Sequence, residues 1–177
     1  MALKRLATSL LLALVLAVGG AAIAKKADRS APIGIVAKST KAYDSPSSVT
    51  TLKGNVRITQ GSLVVTGDVA TLYMDENQQI ARVVVTGRPA HIQELDEQNR
   101  LVQGDAETLD YDNVHQIAVL TRNAIVKIEG QGEVQGDKLT YDVDSTELKA
   151  ESTADGFVHG VILPKQRSPA SEGALHP

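Results

Sequence analysis

The residue types that most often perform chemistry are few in this sequence and form no recognisable site. The four histidines, at positions 91, 115, 159 and 176, are isolated, with neither an i,i+2 pair nor an HxxxH spacing. Cysteine is absent, which excludes disulfides, thiolate metal sites and cysteine nucleophiles. The sequence contains neither a GxSxG nucleophile elbow nor a GxGxxG phosphate loop. We therefore predict no enzyme activity, no catalytic residue, no metal site and no cofactor.

Two acidic pairs come nearest to a catalytic motif. Asp110 and Asp112 flank Tyr111, and Asp142 follows Tyr141. Paired carboxylates of this kind could serve a glycosidase. Because they recur along the chain together with a repeated pattern, we interpret them as turn residues.

The body of the chain, from Val49 to Leu163, has the periodicity of β-strands. Apolar residues alternate or run in threes, in β-branched blocks of about four to eight residues bounded by Gly, Asp and Asn. Gly61-Ser62 separates two such blocks and is predicted to be a two-residue hairpin loop with glycine first. No strand–helix–strand alternation is present, so the sequence predicts an antiparallel, all-β fold.

A weak internal repeat runs through these predicted strands. Gly-Asp pairs begin at positions 67, 104 and 136, and each leads to a tyrosine, at positions 73, 111 and 141. The pairs are 37 and 32 residues apart, and repeats at such intervals indicate stacked units that share one continuous core.

The two ends of the chain differ from its body. Residues 1–24 have a positive start, an apolar run over 6–18 and a small-residue pattern ending at Ala24, which predict a signal peptide cleaved between Ala24 and Lys25. The apolar run is shorter than the roughly 20 residues of a membrane-spanning helix. We expect a flexible N-terminus over 25–31, one domain over 32–163 and a disordered tail over 164–177.

Composition limits what this domain can bind. Of 177 residues 42% are hydrophobic and 3% aromatic, and the net charge is −3. The acidic balance disfavours nucleic acid, and the few aromatics disfavour a membrane barrel girdled by aromatic belts. An apolar ligand held between β-layers and a dry sandwich core both remain open. The strand pattern gives these candidate inward positions: Ile33, Ile35, Val56, Ile58, Ile92, Leu109, Tyr111, Leu139 and Tyr141.

Three stretches carry a resemblance to a known family. They are Pro32-Ile33-Gly34-Ile35, the segment LKGNVRITQG over 52–61, and the segment GDKLTY over 136–141. Together with the signal peptide they resemble the LptA/OstA-like family of periplasmic lipopolysaccharide-transport proteins, over residues 30–163. Arg122-Asn123-Ala124 departs from the Gly-Asn-Ala expected of the family, and Val36-Ala37-Lys38 replaces a more acidic early strand.

The resemblance implies a β-jellyroll of antiparallel strands in an open, twisted, V-shaped trough. It also implies a periplasmic protein that binds lipopolysaccharide in a hydrophobic groove and assembles head-to-tail into a bridge to the outer membrane. The implied partners are lipopolysaccharide, an LptC-like inner-membrane component, the N-terminal domain of an LptD-like translocon and further copies of the chain. The nine inward positions would line the groove, and rim cations such as Lys53 or Arg57 would assist.

Three other interpretations remain open at this point. A structural β-filament or a carbohydrate-binding module would stack without carrying lipid. A membrane-tethered sibling of the same fold would keep its N-terminal helix, against which the cleavage pattern at 22–24 argues. An enzyme would need a polar cluster that the sequence does not show.

Overall fold

The computed structural model describes residues 28–43, 45–152 and 156–164. The predicted signal peptide, its cleavage site at Ala24 and Lys25, and the tail beyond Pro164 lie outside these residues. After a helical turn at 28–29, the elements of the described part are ten β-strands. They are β1 (Gly34–Val36), β2 (Ser39–Lys41), β3 (Val49–Gln60), β4 (Leu63–Met74), β5 (Ile80–Leu95), β6 (Leu101–Asp112), β7 (Ile117–Ile128), β8 (Gly132–Asp142), β9 (Leu148–Glu151) and β10 (His159–Ile162).

All ten strands belong to one antiparallel sheet, which confirms the predicted all-β class. The order along the sheet is β1-β3-β4-β5-β6-β7-β8-β10, with β2 also paired to β3 and β9 also paired to β8. Neighbouring long strands are joined by hairpins, so pairing follows chain order. The first hairpin has the predicted two-residue loop, because Gln60 pairs with Leu63 and Gly61 has a φ of 55°. A positive φ at the first loop position matches the turns that suit the right-handed twist of a hairpin.

Each long strand is interrupted near its middle by a change of register. The shifts lie between Lys53 and Val56 on β3, and at 66–69 on β4, 86–90 on β5, 105–108 on β6 and 121–124 on β7. β-bulges of this kind bend a strand and increase its twist. Since the bulges lie side by side across the sheet, they form one bend line.

The bend line divides the sheet into two half-sheets. Half-sheet A contains β1, residues 56–60, 63–66, 90–95, 101–105, 124–128 and 132–136, and β10. Half-sheet B contains β2, residues 49–53, 69–74, 80–86, 108–112, 117–121 and 138–142, and β9. The hairpin turns at 61–62, 96–100 and 129–131 end half-sheet A, whereas those at 75–79, 113–116 and 143–147 end half-sheet B.

The two half-sheets pack face to face, as in a β-jellyroll. Gly104 in half-sheet A lies so close to half-sheet B that an added Cβ would stand 2.7 Å from Leu120 Cδ2. The core consists of the facing side chains of both halves. Its largest fully buried members are Leu72, Val85, Leu109, Leu120 and Leu139.

The strands are longer than the predicted blocks of four to eight residues. β3 to β8 have 11 to 16 residues each, because a strand continues through its bulge. Gly61 lies at a hairpin turn as predicted, but the Gly-Asp pairs at 67 and 136 lie at the bend line inside strands. The repeated Gly-Asp pairs therefore indicate where a strand bends at its bulge rather than where the strand ends.

The interpretation of the three aspartates in these motifs as turn residues is right for Asp112 and Asp142 and wrong for Asp110. Asp112 Oδ1 accepts hydrogen bonds from the backbone N–H groups of Val114 and His115, and Asp142 does the same in the next half-sheet B turn. Asp110 instead lies within β6, where it forms a bidentate ion pair with Arg82 on β5. Alternation explains the difference, because Asp110 faces solvent between two inward neighbours.

Candidate functional site

Seven of the nine sequence-predicted inward positions are buried between the half-sheets. The fraction of each residue that is exposed is 8% or less. These positions are Val56, Ile58, Ile92, Leu109, Tyr111, Leu139 and Tyr141. Strand alternation was therefore enough to assign their facing, although it does not say what the interior holds.

Cross-strand pairing arranges the inward residues in continuous rows. Directly paired residues of antiparallel strands point to the same face of the sheet. In half-sheet A one row runs through paired residues from the first edge strand to the last: Ile35, Ile58, Val65, Ile92, Gly104, Val126, Val134 and Gly160. In half-sheet B the matching row is Leu52, Ala70, Val85, Leu109, Leu120, Leu139 and Ala150. The inward row of half-sheet A is thus apolar from one edge of the sheet to the other, whereas the row of half-sheet B ends in Thr40 on the edge strand β2.

The remaining two predicted residues, Ile33 and Ile35, lie at the N-terminal edge. Ile35 pairs with the buried Ile58 and so shares its inward face, yet it is 46% exposed because β1 has no further strand beside it. Ile33 is 40% exposed and lines a small cavity together with Ile58 and Tyr111. The apolar face therefore emerges into solvent at this end.

The C-terminal edge has a matching apolar surface that sequence reasoning did not assign to the site. Ile162 pairs with Gly132 in the same half-sheet, two residues from the inward-facing Val134, and it is 88% exposed. Val158 is 44% exposed and lies near the site of a Cβ on Gly136. The run Val161-Ile162-Leu163 ahead of Pro164 was the available signal, but its facing depends on pairing with β8, which the sequence does not reveal.

Between these ends the interior is closely packed. One cavity of about 20 Å³ lies among Ile92, Val102, Leu120 and Tyr141, and another of about 30 Å³ lies beneath Ile33. Each has room for about one or two water molecules. A long apolar ligand would fit only if the half-sheets moved apart.

Small side chains line the bend. Ala90, Ala106 and Ala124 are each 2% exposed or less, and each lies at or beside a register shift. They interlock little with the opposite half-sheet, since alanine has no rotatable side chain to interdigitate. The bend can therefore act as the closed side of a trough whose opposite side carries the hairpin turns.

We call this opposite side the mouth. It is the gap between the turns 61–62 and 96–100 of half-sheet A and the turns 113–116 and 143–147 of half-sheet B. Polar groups collect here: the Tyr111 hydroxyl donates to Gln116 Oε1 at 2.8 Å, and Glu94 contributes to the environments of both Tyr111 and Tyr141. Burial, reinforced by Glu94, raises the pKa of the Tyr111 hydroxyl and raises the pKa of Tyr141 to about 12.

In the part of the chain that the structure describes, histidines and carboxylates form isolated pairs rather than larger clusters. No three His, Asp or Glu residues there are placed to hold a metal ion. His91 Nδ1 lies 2.8 Å from Asp105 Oδ1, and His115 Nδ1 lies 2.7 Å from Asp112 Oδ2, each as a pair on the outer surface. The sequence-predicted rim cations Lys53 and Arg57 are exposed and flank the bulge on β3, so they lie by the bend rather than at the mouth.

Comparison with known proteins identifies the family of this folded sheet. The sequence model described as "LptA/(LptD N-terminal domain) LPS transport protein" matches residues 35–147, which extend from within β1 to the turn after β8. The chain belongs to this family.

Individual members share about a third of their sequence with the chain. The lipopolysaccharide export system protein LptA of Haemophilus influenzae is 31% identical over 159 residues, 89% of this chain and 91% of that protein. LptA of Escherichia coli K12 is 29% identical over 82% of this chain and 78% of its own length. LptH of Pseudomonas aeruginosa, also named a lipopolysaccharide export system protein, is 32% identical over 83% of this chain and 87% of its own length.

A solved structure from the same family has the same fold. The crystal structure of LptH, described as the LptA-homologous periplasmic component of a lipopolysaccharide transport device, superposes with a TM-score of 0.69 and 27% identity. The match covers 78% of this chain and 99% of that one. Among the residues described here, no helix is long and apolar enough to cross a membrane.

Proposed function

We propose that this chain transports lipopolysaccharide through the periplasm, with the acyl chains held between its two half-sheets. The observation that supports this most is the uninterrupted apolar row of half-sheet A, which is exposed at the first edge and borders exposed apolar residues at the last. A core that holds no ligand is stabilised by the apolar residues buried in the middle of the sheet. Apolar residues of the inward face that are exposed to solvent at the two edges do not add to its stability. A path for an apolar chain that passes from one molecule to the next needs that continuation.

The nine inward residues named above would contact the acyl chains in this function. Ile33 and Ile35 receive or release them at the N-terminal edge, and Ile92, Leu109 and Tyr111 lie deeper. Each methylene removed from water contributes about 0.8 kcal/mol. Several acyl chains can therefore offset the contacts that are lost when the half-sheets separate.

Assembly would use the same two edges. β1 and β2 at one end and β9 and β10 at the other have unpaired backbone groups along one side. Exposed edges of this kind can accept a strand from another molecule. We propose head-to-tail addition of further copies, of an LptC-like inner-membrane component and of the N-terminal domain of an LptD-like translocon.

The remaining parts of the chain have simpler roles in this proposal. Residues 1–24 direct export and are removed between Ala24 and Lys25, which places the mature protein in the periplasm. The chain performs no reaction and needs no cofactor, since holding and passing an apolar ligand makes no covalent change.

Crosslinking in living cells tests the ligand and the inward face together. A photoreactive residue replaces Ile35, which faces inward, or its neighbour Val36, which is 63% exposed and faces the other way. We expect a lipopolysaccharide adduct from position 35 and little from position 36 or from Asn77 in a distant turn. Ile162 is a second inward position at the opposite end. Correctly exported variants that give no adduct at 35 or 162 would contradict lipid transport and favour a structural filament.

A further inference from the structure

The chain segment before β1 is fixed to one side of the mouth. The Asp28 carboxylate accepts a hydrogen bond from the Ser62 backbone N–H at 3.1 Å. The Gln60 side-chain amide donates to the carbonyl oxygens of Arg29, at 2.7 Å, and Ala31, at 3.2 Å. This segment, residues 28–31, is thereby attached to the first hairpin of half-sheet A, although it lies within the stretch predicted to be flexible.

From this attachment the Arg29 side chain crosses to the other half-sheet. Its guanidinium Nη2 lies 2.5 Å from Asp144 Oδ1, in the turn after β8. Two other ion pairs each stay within one half-sheet: Arg82 pairs with Asp110 in half-sheet B, and Lys127 pairs with Glu133 in half-sheet A. The Arg29–Asp144 pair instead joins the two sides of the mouth.

A cavity of about 30 Å³ lies directly beneath this crossing. Its lining comes from both sides of the mouth, with Arg29, Ser62 and Glu94 on one side and Tyr111 and Gln116 on the other. Next to it lies the apolar cavity under Ile33, and Tyr111 lines both. Arg29 therefore lies over a point of the mouth where the cavity between its two sides adjoins the apolar interior.

We propose that Arg29 and Asp144 form a latch that holds the mouth closed and must release before an acyl chain can enter between the half-sheets. The inference rests on the proposed function, since it assumes that the interior takes up acyl chains. The latch also makes the N-terminal segment, through Asp28 and Gln60, part of the gate. The bend line is the hinge on the opposite side.

The chemistry of the pair suits a contact that opens reversibly. Arg29 and Asp144 side chains are 40% and 59% exposed, so water and salt screen their attraction. The charged groups around the mouth are largely acidic, with Asp28 and Glu94 beside Arg29. This charge makes the mouth a poor site for a phosphate, and the geometry therefore favours a latch over a headgroup-binding site.

Three variants test the latch. Arg29→Gln and Asp144→Asn each remove the ion pair at nearly constant size, and the double variant Arg29→Asp with Asp144→Arg restores it in reverse. Arg82→Gln is the matched control, because it removes an arginine–carboxylate pair that lies within one half-sheet. Since the chain contains no cysteine, cysteines introduced at Gln98 and Val114, on opposite sides of the mouth, can be spin-labelled selectively, and the distance between the two labels reports the width of the mouth.

The first readout uses the protein without ligand. We expect a broader and longer label-to-label distance distribution in both single variants, a distribution like the wild type in Arg82→Gln, and recovery in the charge-reversed double variant. The second readout is the rate at which fluorescently labelled lipopolysaccharide is taken up. This rate should rise by up to about fivefold in the single variants, the range expected for loss of one exposed ion pair.

The outcomes separate the two proposals. Unchanged distance distributions in Arg29→Gln and Asp144→Asn would overturn the latch, whatever happens to uptake. Changed distances without lipopolysaccharide binding to any variant or to the wild type would leave the latch standing as a closure of the sheet and would overturn lipid transport. A phosphate-binding role for Arg29 would instead make uptake slower in Arg29→Gln and faster in Asp144→Asn.

Discussion

The tyrosines in the interior are unusual among the site residues, because each brings a titratable hydroxyl into an apolar space. Tyr111 is 5% exposed and Tyr141 is 4% exposed. Burial raises both pKa values above the ordinary value of about 10, because the phenolate would lose its hydration. Both side chains also lie near Glu94, whose negative charge acts in the same direction.

This arrangement predicts how stability depends on alkaline pH. Above pH 10 the tyrosines of the unfolded chain ionise, while those of the folded chain stay protonated up to about pH 12 for Tyr141. The free energy of unfolding should therefore fall as pH rises above 10, by up to about 1.4 kcal/mol per pH unit for each tyrosine. Urea unfolding between pH 8 and 11.5 measures this slope. Tyr111→Phe and Tyr141→Phe should each make it shallower, whereas Tyr43→Phe, at an exposed position, should leave it unchanged. A slope that the two buried substitutions do not alter would contradict the assigned burial.

At the scale of single elements, the last strand depends on one glycine. Gly132 begins β8 with a φ of 129°, and an added Cβ would stand 1.8 Å from the carbonyl oxygen of Val161 on β10. A side chain at this position therefore excludes β10 from its place beside β8. The rest of β8 pairs with β7 and β9 through other residues and does not need β10.

Gly132→Ala should thus release β10 and leave the body folded. We expect amide hydrogen exchange at 159–162 to accelerate at least about tenfold, because a side chain at this positive φ costs on the order of 1 kcal/mol or more and the clash adds to it. Amides in β4 to β7 should keep their protection. Gly160→Ala is the control within β10, because a Cβ there would meet nothing closer than 3.8 Å. Equal exchange in the two variants would show that β10 is not held through Gly132.

The strands also show what the sequence could and could not reveal. Alternation and β-branched residues identified the sheet and assigned the facing of Val56, Leu109 and Leu139, because these depend on neighbours along the chain. Glycine and aspartate occur both in hairpin turns and in bulges, so the sequence alone does not show which of the two Gly67-Asp68 forms. Its position between the β4 residues that pair with β5 identifies it as part of a bulge. The Arg122-Asn123 stretch shows the same limit. Both residues have positive φ, 66° and 51°, and they form the bulge of β7 in the way that Gly54-Asn55 forms the bulge of β3. The bulge of β7 therefore has the same backbone conformation without a glycine that would have indicated it in the sequence.

At the scale of the whole molecule, both edges of the sheet carry exposed apolar residues. Ile33 and Ile35 are exposed at the N-terminal edge, and Val158, Val161 and Ile162 at the C-terminal edge. Large exposed apolar residues beside unpaired strand edges favour association, and charged residues at such positions are the usual protection against it. Because the edges lie at opposite ends of one sheet, an association between them would be head-to-tail rather than two-fold symmetric. This geometry predicts open chains of growing length rather than a closed dimer.

Substituting the most exposed apolar residue tests this assembly. Ile162→Lys places a charge at an 88% exposed position of the last strand, and it should weaken self-association by roughly tenfold or more, the equivalent of burying one isoleucine. Sedimentation velocity over a range of concentrations measures the effect. Val114→Lys is the control, since Val114 is 66% exposed but lies in a turn at the mouth, away from both edges. Ile35→Lys should act like Ile162→Lys, and mixing the two variants should yield dimers through their intact edges but no longer chains. If both variants instead form the same long chains as the wild type, the molecules associate through another surface, and the apolar face that reaches both edges serves the ligand alone.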